Sequence, residues 1–204
     1  MADSIYDYFA AMHDKRIGTA LANVFSRFMP KATEPYAANT YIDIGAIAAT
    51  ASEVNRNCDM STRIVNCTAS TLTVTEALHD GKTIVLDRAA GIAVTLPAAT
   101  AGMRFEFLVK TTFTGAATIK SVASADIMIG HALMGNDSDN NVVNWQSVAA
   151  STNDTIDMLG TGNSTGGMAG QRITITGLAA NLWYVQIIGD AAGTEASPFS
   201  NSVA

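Results

Sequence analysis

The sequence is poor in charge, in aromatic side chains and in cysteine. Charged residues make up 15% of the 204, and 12 Lys and Arg face 18 Asp and Glu, a net charge of −6. Binding to bare duplex DNA needs clustered cations that replace condensed counterions, so this balance argues against a nucleic-acid partner. No run of about 18 uncharged apolar residues occurs, so no membrane span is expected. The start, Met1 to Asp7, carries Asp3 and Asp7 and lacks a basic region followed by an apolar one. It does not read as a secretion signal, and folding in a cytoplasm is expected. The two cysteines, Cys58 and Cys67, stand nine residues apart and are expected as free thiols in a reducing compartment. Aromatics are 7% of the chain, so large packing anchors are few.

What is present is apolar in an unusual way. Hydrophobic residues make up 48% and the mean hydropathy is +0.19, which excludes a disordered chain. Much of that content is alanine, with Thr, Ser and Gly between. The length suffices for one real core in one or two domains.

The chain changes character twice. Residues 3–29 read as an amphipathic helix, with Asp3 or Ser4 able to accept from its free first-turn amides. Ile5, Tyr8, Phe9, Met12, Leu21, Val24, Phe25 and Phe28 recur near helical spacing. Gly18 weakens its middle and Pro30 follows its end. Residues 30–49 read as an extended connector, because Pro30 and Pro35 cannot continue a helix and Ala37 to Ala49 has no clear period. A short helix is expected at about 51–59, where Thr50-Ala51-Ser52-Glu53 fits the capping box.

From Ser70 the pattern becomes β. Strands are expected at Thr71–Thr75, Thr83–Asp87, Ile92–Leu96, Arg104–Thr112, Thr118–Val122, Ile127–Ile129, Val142–Val148, Thr155–Leu159, Arg172–Thr176 and Leu182–Ile188. Over Arg104–Thr112, Phe105, Phe107 and Val109 share one face, with Arg104, Glu106 and Lys110 on the other. His79-Asp80-Gly81-Lys82 reads as a turn between the first two strands. Many short strands with Gly, Asn and Asp turns between them predict a mainly β protein. The expected form is a β-sandwich or jelly-roll-like domain over 50–204, preceded by the helix and arm of 1–49.

Candidate chemistry is thin. The histidines His13, His79 and His131 are not paired with Glu or Cys at a ligand spacing, and zinc needs about four clustered donors. Asn136-Asp137-Ser138-Asp139-Asn140-Asn141 is rich in oxygen donors. It lacks the Gly and Glu that a calcium loop needs, with Val142 and Val148 in those places, and reads as a polar loop between strands. Gly160 to Gly167 has the glycines of a phosphate loop without its Lys, and reads as a hairpin with several positive-φ residues. No Gly-x-Ser-x-Gly turn occurs. Glu106, Asp126 and Asp157 read as a solvated face. Trp145 and Trp183 read as core, with a sugar-stacking platform as the alternative. No metal, cofactor or catalytic residue is expected. The N-terminal helix is read as docking on another chain, through Ile5, Tyr8, Phe9, Met12, Leu21, Phe25 and Phe28. The connector behind it is long for a compact domain.

Three stretches carry a resemblance: Ala51-Ser52-Glu53-Val54-Asn55-Arg56, Leu72 to Asp87, and Val94-Thr95-Leu96-Pro97-Ala98-Ala99. With Gly166-Gly167, Leu182-Trp183-Tyr184-Val185 and Thr194 to Ser200, they resemble a recurrent module of tailed-phage virion structural proteins. The resemblance runs from about residue 50 to the end. It implies a virion role of the head decoration (cement) type and no enzymatic one. The partners it implies are the major capsid protein and the chain itself, as a homotrimer on the outer capsid surface. The alternative is a tail-fibre or receptor-binding module that recognises a host surface glycan.

Overall fold

A computed structural model describes residues 63–136, 141–159 and 162–203. The helices expected at 3–29 and 51–59, the connector at 30–49 and the seven docking residues from Ile5 to Phe28 lie outside them.

The described chain is mainly β with almost no helix, and its strands form two mixed sheets. In chain order these are β1 (Ile64–Cys67), β2 (Thr71–Thr73), β3 (Thr83–Leu86), β4 (Ala93–Thr95), β5 (Arg104–Val109) and β6 (Ala117–Lys120). They are followed by β7 (Ile127–Asn136), β8 (Val142–Ser147), β9 (Thr155–Met158), β10 (Arg172–Ala179), β11 (Leu182–Ala191) and β12 (Phe199–Ser200). A single short helix, α1 (Glu76–His79), lies between β2 and β3 among the described residues. The large sheet runs β1-β3-β5-β10-β11-β7-β8, and the small one β12-β9-β6-β4-β2.

The first six strands alternate between sheets. Odd strands stack in parallel in the large sheet, even strands in parallel in the small one. The chain therefore winds through three rungs, each with one strand per sheet. Register partners recur about every twenty residues, from Ile64 to Thr83 to Glu106 and from Thr71 to Ala93 to Thr118. Antiparallel strands close one end of the stack, β10 against β5 and β9 against β6.

This winding corrects the expected hairpin. Strands β2 and β3 belong to different sheets, so His79 to Lys82 turns a corner between layers instead of pairing its flanks. The same holds for the glycine-rich segment between β9 and β10. Gly162, Asn163, Gly166, Gly167 and Gly170 do take positive φ as expected, yet they join the small sheet to the large one. Jelly rolls are antiparallel Greek keys, and the three parallel rungs differ from that plan.

Rung-to-rung contact explains two glycines. Thr114 N–H donates to the Ala89 carbonyl at 2.7 Å, bringing the corner after β5 onto the corner after β3. A Cβ on Gly91 would lie 2.0 Å from the Ala116 carbonyl oxygen, and one on Gly115 would lie 2.4 Å from that of Ala90. No other residue lets the backbones approach so closely.

The core follows from period-2 alternation. One inward row crosses the whole large sheet through Val65, Ile84, Phe107, Ile173, Ile187, Ala132 and Trp145. Val94, Ile119 and Ile156 point inward from the small sheet and join the same hydrophobic core. Trp183 is fully buried, its ring 5.9 Å from that of Phe105 and tilted by 52°.

Candidate interaction surface

The surface is built on the outward residues of the large sheet. Because the side-chain period is two, the residues between the inward rows make the opposite face. One outward row reads Ile64, Thr83, Glu106, Thr174, Gln186, His131, Gln146. The next reads Asn66, Val85, Leu108, Arg172, Ile188, Leu133, Asn144.

These rows divide the face into two halves. The half on β3, β5 and β10 is charged. Arg172 pairs with Glu106 across the β5–β10 ladder. At the end of β3, Asp87 accepts from Lys110 Nζ at 2.6 Å and from Thr111 Oγ1 at 2.7 Å. Those two bonds, chiefly the one from Lys110, hold the Asp87 carboxyl below its usual range.

The half on β11, β7 and β8 is different. Its strand residues hold one formal charge, Asp190 near the end of β11. Apolar pairs face outward along the β11–β7 ladder: Leu182 with Ile127, Tyr184 with Ile129, and Ile188 with Leu133. Val142 on β8 extends the group. Ile188 is 51% exposed, Val142 66%, Leu133 40% and Tyr184 38%. Between the apolar pairs lie Gln186, His131 and Gln146, which can hydrogen-bond to a partner without bringing full charge. Apolar groups of this size left in water are unfavourable, and a rimmed apolar patch is the usual mark of an interaction surface.

No family model, curated protein or solved structure matches the chain. The surface is therefore read from its own chemistry.

The residues weighed as chemistry find other uses. His79 is buried, and its Nδ1 accepts from the Thr75 N–H at 3.0 Å, so the ring is used within the turn of α1. His131 lies on the outward face among Gln186 and Gln146. Trp145 is half-buried and packs on the core. The expectation of a solvated acidic face holds in part. Glu106 and Asp157 are half-exposed, and Asp157 accepts from the Ser200 hydroxyl. Asp126 is a correction: its side chain is buried, and desolvation raises its carboxyl above the usual range despite a bond from the Ala99 backbone. Asp126 lies in the turn between β6 and β7, where Ser121 Oγ donates to its carbonyl at 2.6 Å. The strands that the polar 136–141 run joins, β7 and β8, are antiparallel neighbours. Among the described residues, no group of three or more His, Cys, Asp or Glu is placed to hold a metal ion. No helix among them is long and apolar enough to cross a membrane.

Sequence reasoning placed the docking function on the N-terminal helix and passed over the β7–β8–β11 face. The signal was available: from Ile127 to Asn136 and from Val142 to Ser147 the sequence has no Lys, Arg, Asp or Glu.

Proposed function

We propose that this protein is a head decoration (cement) protein of a tailed phage, holding surfaces together without catalysing a reaction. In this reading it sits on the outer face of the capsid, contacts the major capsid protein lattice and stabilises the head as a homotrimer. The observation that carries the reading is the uncharged apolar half of the large sheet. It offers an uncharged area that can be buried against another protein at little desolvation cost. The acidic balance supports an exterior position, away from packaged DNA. The N-terminal segment would add a second contact through Ile5, Tyr8, Phe9, Met12, Leu21, Phe25 and Phe28. Several weak contacts on one particle hold more firmly than any one alone. The two sheets are read as the layers of a sandwich around one core.

A second reading, a tail-fibre or receptor-binding module for a host glycan, is favoured by the stacked parallel rungs. Such stacking builds extended surfaces suited to a shaft. It needs an aromatic platform for the sugar, and Trp183 is buried while Trp145 packs on the core.

Copy number per virion separates the two. Quantified mass spectrometry is expected to count hundreds of copies for a decoration protein and a few for a fibre. Particles depleted of the protein are expected to lose density from their outer capsid surface. Depleted particles with an unchanged surface would sink the first reading.

A further inference from the structure

Two polar groups lie deep at the inner end of the β11–β7 ladder. Trp183 is 0% exposed and Asp126 2%. Among the described residues, Trp183 Nε1–H has no acceptor and Asp126 Oδ2 has no donor. Each is an exception, since buried polar groups are nearly always partnered. The two are also complementary, because an indole N–H only donates and a carboxylate only accepts.

The backbone brings them to one place. Trp183 pairs with Met128 in the parallel β11–β7 ladder. Asp126 stands two residues before Met128 and is buried like it, while Ile127 between them is half-buried. Asp126 is therefore on the core side, diagonal to Trp183. Diagonal neighbours in a sheet stand about 7–8 Å apart, within reach of an aromatic side chain.

The 99–102 segment spans both groups. The Asp126 carboxyl accepts from the Ala99 N–H. Gly102 N–H donates to the Gly177 carbonyl at 3.0 Å. Gly177 pairs with Trp183 from β10, and a Cβ on it would meet the Thr100 carbonyl oxygen and lie 3.3 Å from Trp183 Cζ3. Cζ3 is the ring atom para to the benzene carbon that bears Nε1. The benzene side of the indole is thus turned to β10, and its N–H side is turned away, toward β7 and Asp126.

We infer that this end of the core is a built site for one buried water, which accepts from Trp183 Nε1–H and donates to Asp126 Oδ2. No hydrogen bond joins the two groups directly. A water set between a donor and an acceptor satisfies both at once. It also gives the desolvated carboxylate one more donor, which lessens the effect of burial on this carboxyl without removing it. The ionisable groups on neighbouring elements have other roles. Asp154 accepts from Ser202 N–H and Val203 N–H, Lys120 Nζ donates to the Ser202 carbonyl at 3.4 Å, and Arg104 is exposed. The site lies on the core side of the ladder and is independent of what the outer sheet face binds.

NMR of the full-length protein labelled with 15N and 13C tests the site. Trp183 Nε1–H is expected to show cross-relaxation with a long-lived water. Its shift is expected to titrate with the same midpoint as the Asp126 carboxyl carbon. Asp126→Asn is expected to abolish that titration, and Asp154→Asn, which removes the other buried carboxylate, to leave it in place. Trp183→Phe deletes the donor and is expected to raise the Asp126 midpoint by at least about 0.5 pH unit. An indole N–H that ignores the Asp126 titration would overturn the inference. So would a titration abolished by Asp154→Asn, or an Asp126 midpoint that stays or falls in Trp183→Phe. An indole that follows the titration without a water cross-peak would mean a direct bond and would overturn it too. If Trp183→Phe fails to fold, the wild-type and Asp126→Asn spectra decide the matter.

Discussion

Two aspartates show how one side chain acquires opposite meanings from its surroundings. Asp87 is stabilised as a carboxylate by Lys110 and Thr111, so its carboxyl titrates below the usual range. Its contribution to stability is present above the ordinary carboxylate value and is lost as pH falls through the lowered one. Asp126 is buried, and desolvation raises its carboxyl. Its ionisation therefore works against the fold, and the penalty grows as pH rises from the ordinary value through the raised one. Asp126→Asn keeps an oxygen to accept from the Ala99 N–H and removes the charge. The variant is expected to be more stable than wild type at pH 7 by on the order of 1 kcal/mol. The difference should close as pH falls through the carboxylate range. Denaturant unfolding at several pH values measures it, and a variant less stable at pH 7 would show that the ionised form is the one the fold favours.

At the scale of elements, the sequence was more legible in its faces than in its partnerships. Alternation over Arg104–Thr112 assigned Phe105, Phe107 and Val109 to one face, and all three are buried. Alternation reports which side of a sheet a residue joins and says nothing of which strand lies beside it. Turn residues at 79–82 and 89–91 look alike whether they fold a strand back or turn it into another layer, so the rungs were invisible. Strand β7 was expected only over Ile127–Ile129 and runs on to Asn136. In the fold Gly130 has φ +143°, and a Cβ on it would lie 1.8 Å from the Val185 carbonyl oxygen, so the glycine admits the neighbouring strand instead of ending its own. Strand β12 escaped notice because two residues carry no period.

That short strand is nonetheless firmly held. Asp154 is fully buried, and its Oδ1 accepts from Ser202 N–H at 2.9 Å, Val203 N–H at 3.2 Å and Thr155 Oγ1 at 2.7 Å. The carboxylate thus ties the C-terminal strap along β9 and covers an edge of the small sheet. Asp154→Ala removes the acceptor and leaves the buried Thr155 hydroxyl and two part-buried backbone N–H groups without it, at an expected cost of about 2 kcal/mol. Asp154→Asn keeps one acceptor and is expected to cost less. Hydrogen exchange over residues 198–203 should rise in the alanine variant before the rest of the molecule responds, since a strap bound by few contacts opens locally. Equal exchange in both variants would mean that Phe199, not Asp154, holds the strap.

At the scale of the whole molecule, the low charge and the scarcity of candidate chemistry converge on a surface. The proposed binding areas, the N-terminal segment and the β7–β8–β11 face, can be separated by two variants. Removing residues 1–49 is expected to leave a folded, soluble β unit that no longer binds capsids, while aggregation of that unit would mean the segment covers apolar surface of its own chain. Ile188→Asp, on an outward and half-exposed position, is expected to leave thermal unfolding within about 0.5 kcal/mol of wild type. It places a carboxylate where an interface would exclude water, so capsid binding should weaken by tenfold or more for each contact. Because several copies and contacts act together on a particle, the loss measured on capsids should exceed the loss in any isolated contact. If Ile188→Asp binds as wild type while the truncation does not, attachment belongs to the N-terminal segment and the sheet face serves another partner. If the truncation binds and Ile188→Asp does not, the sheet face alone is the attachment surface.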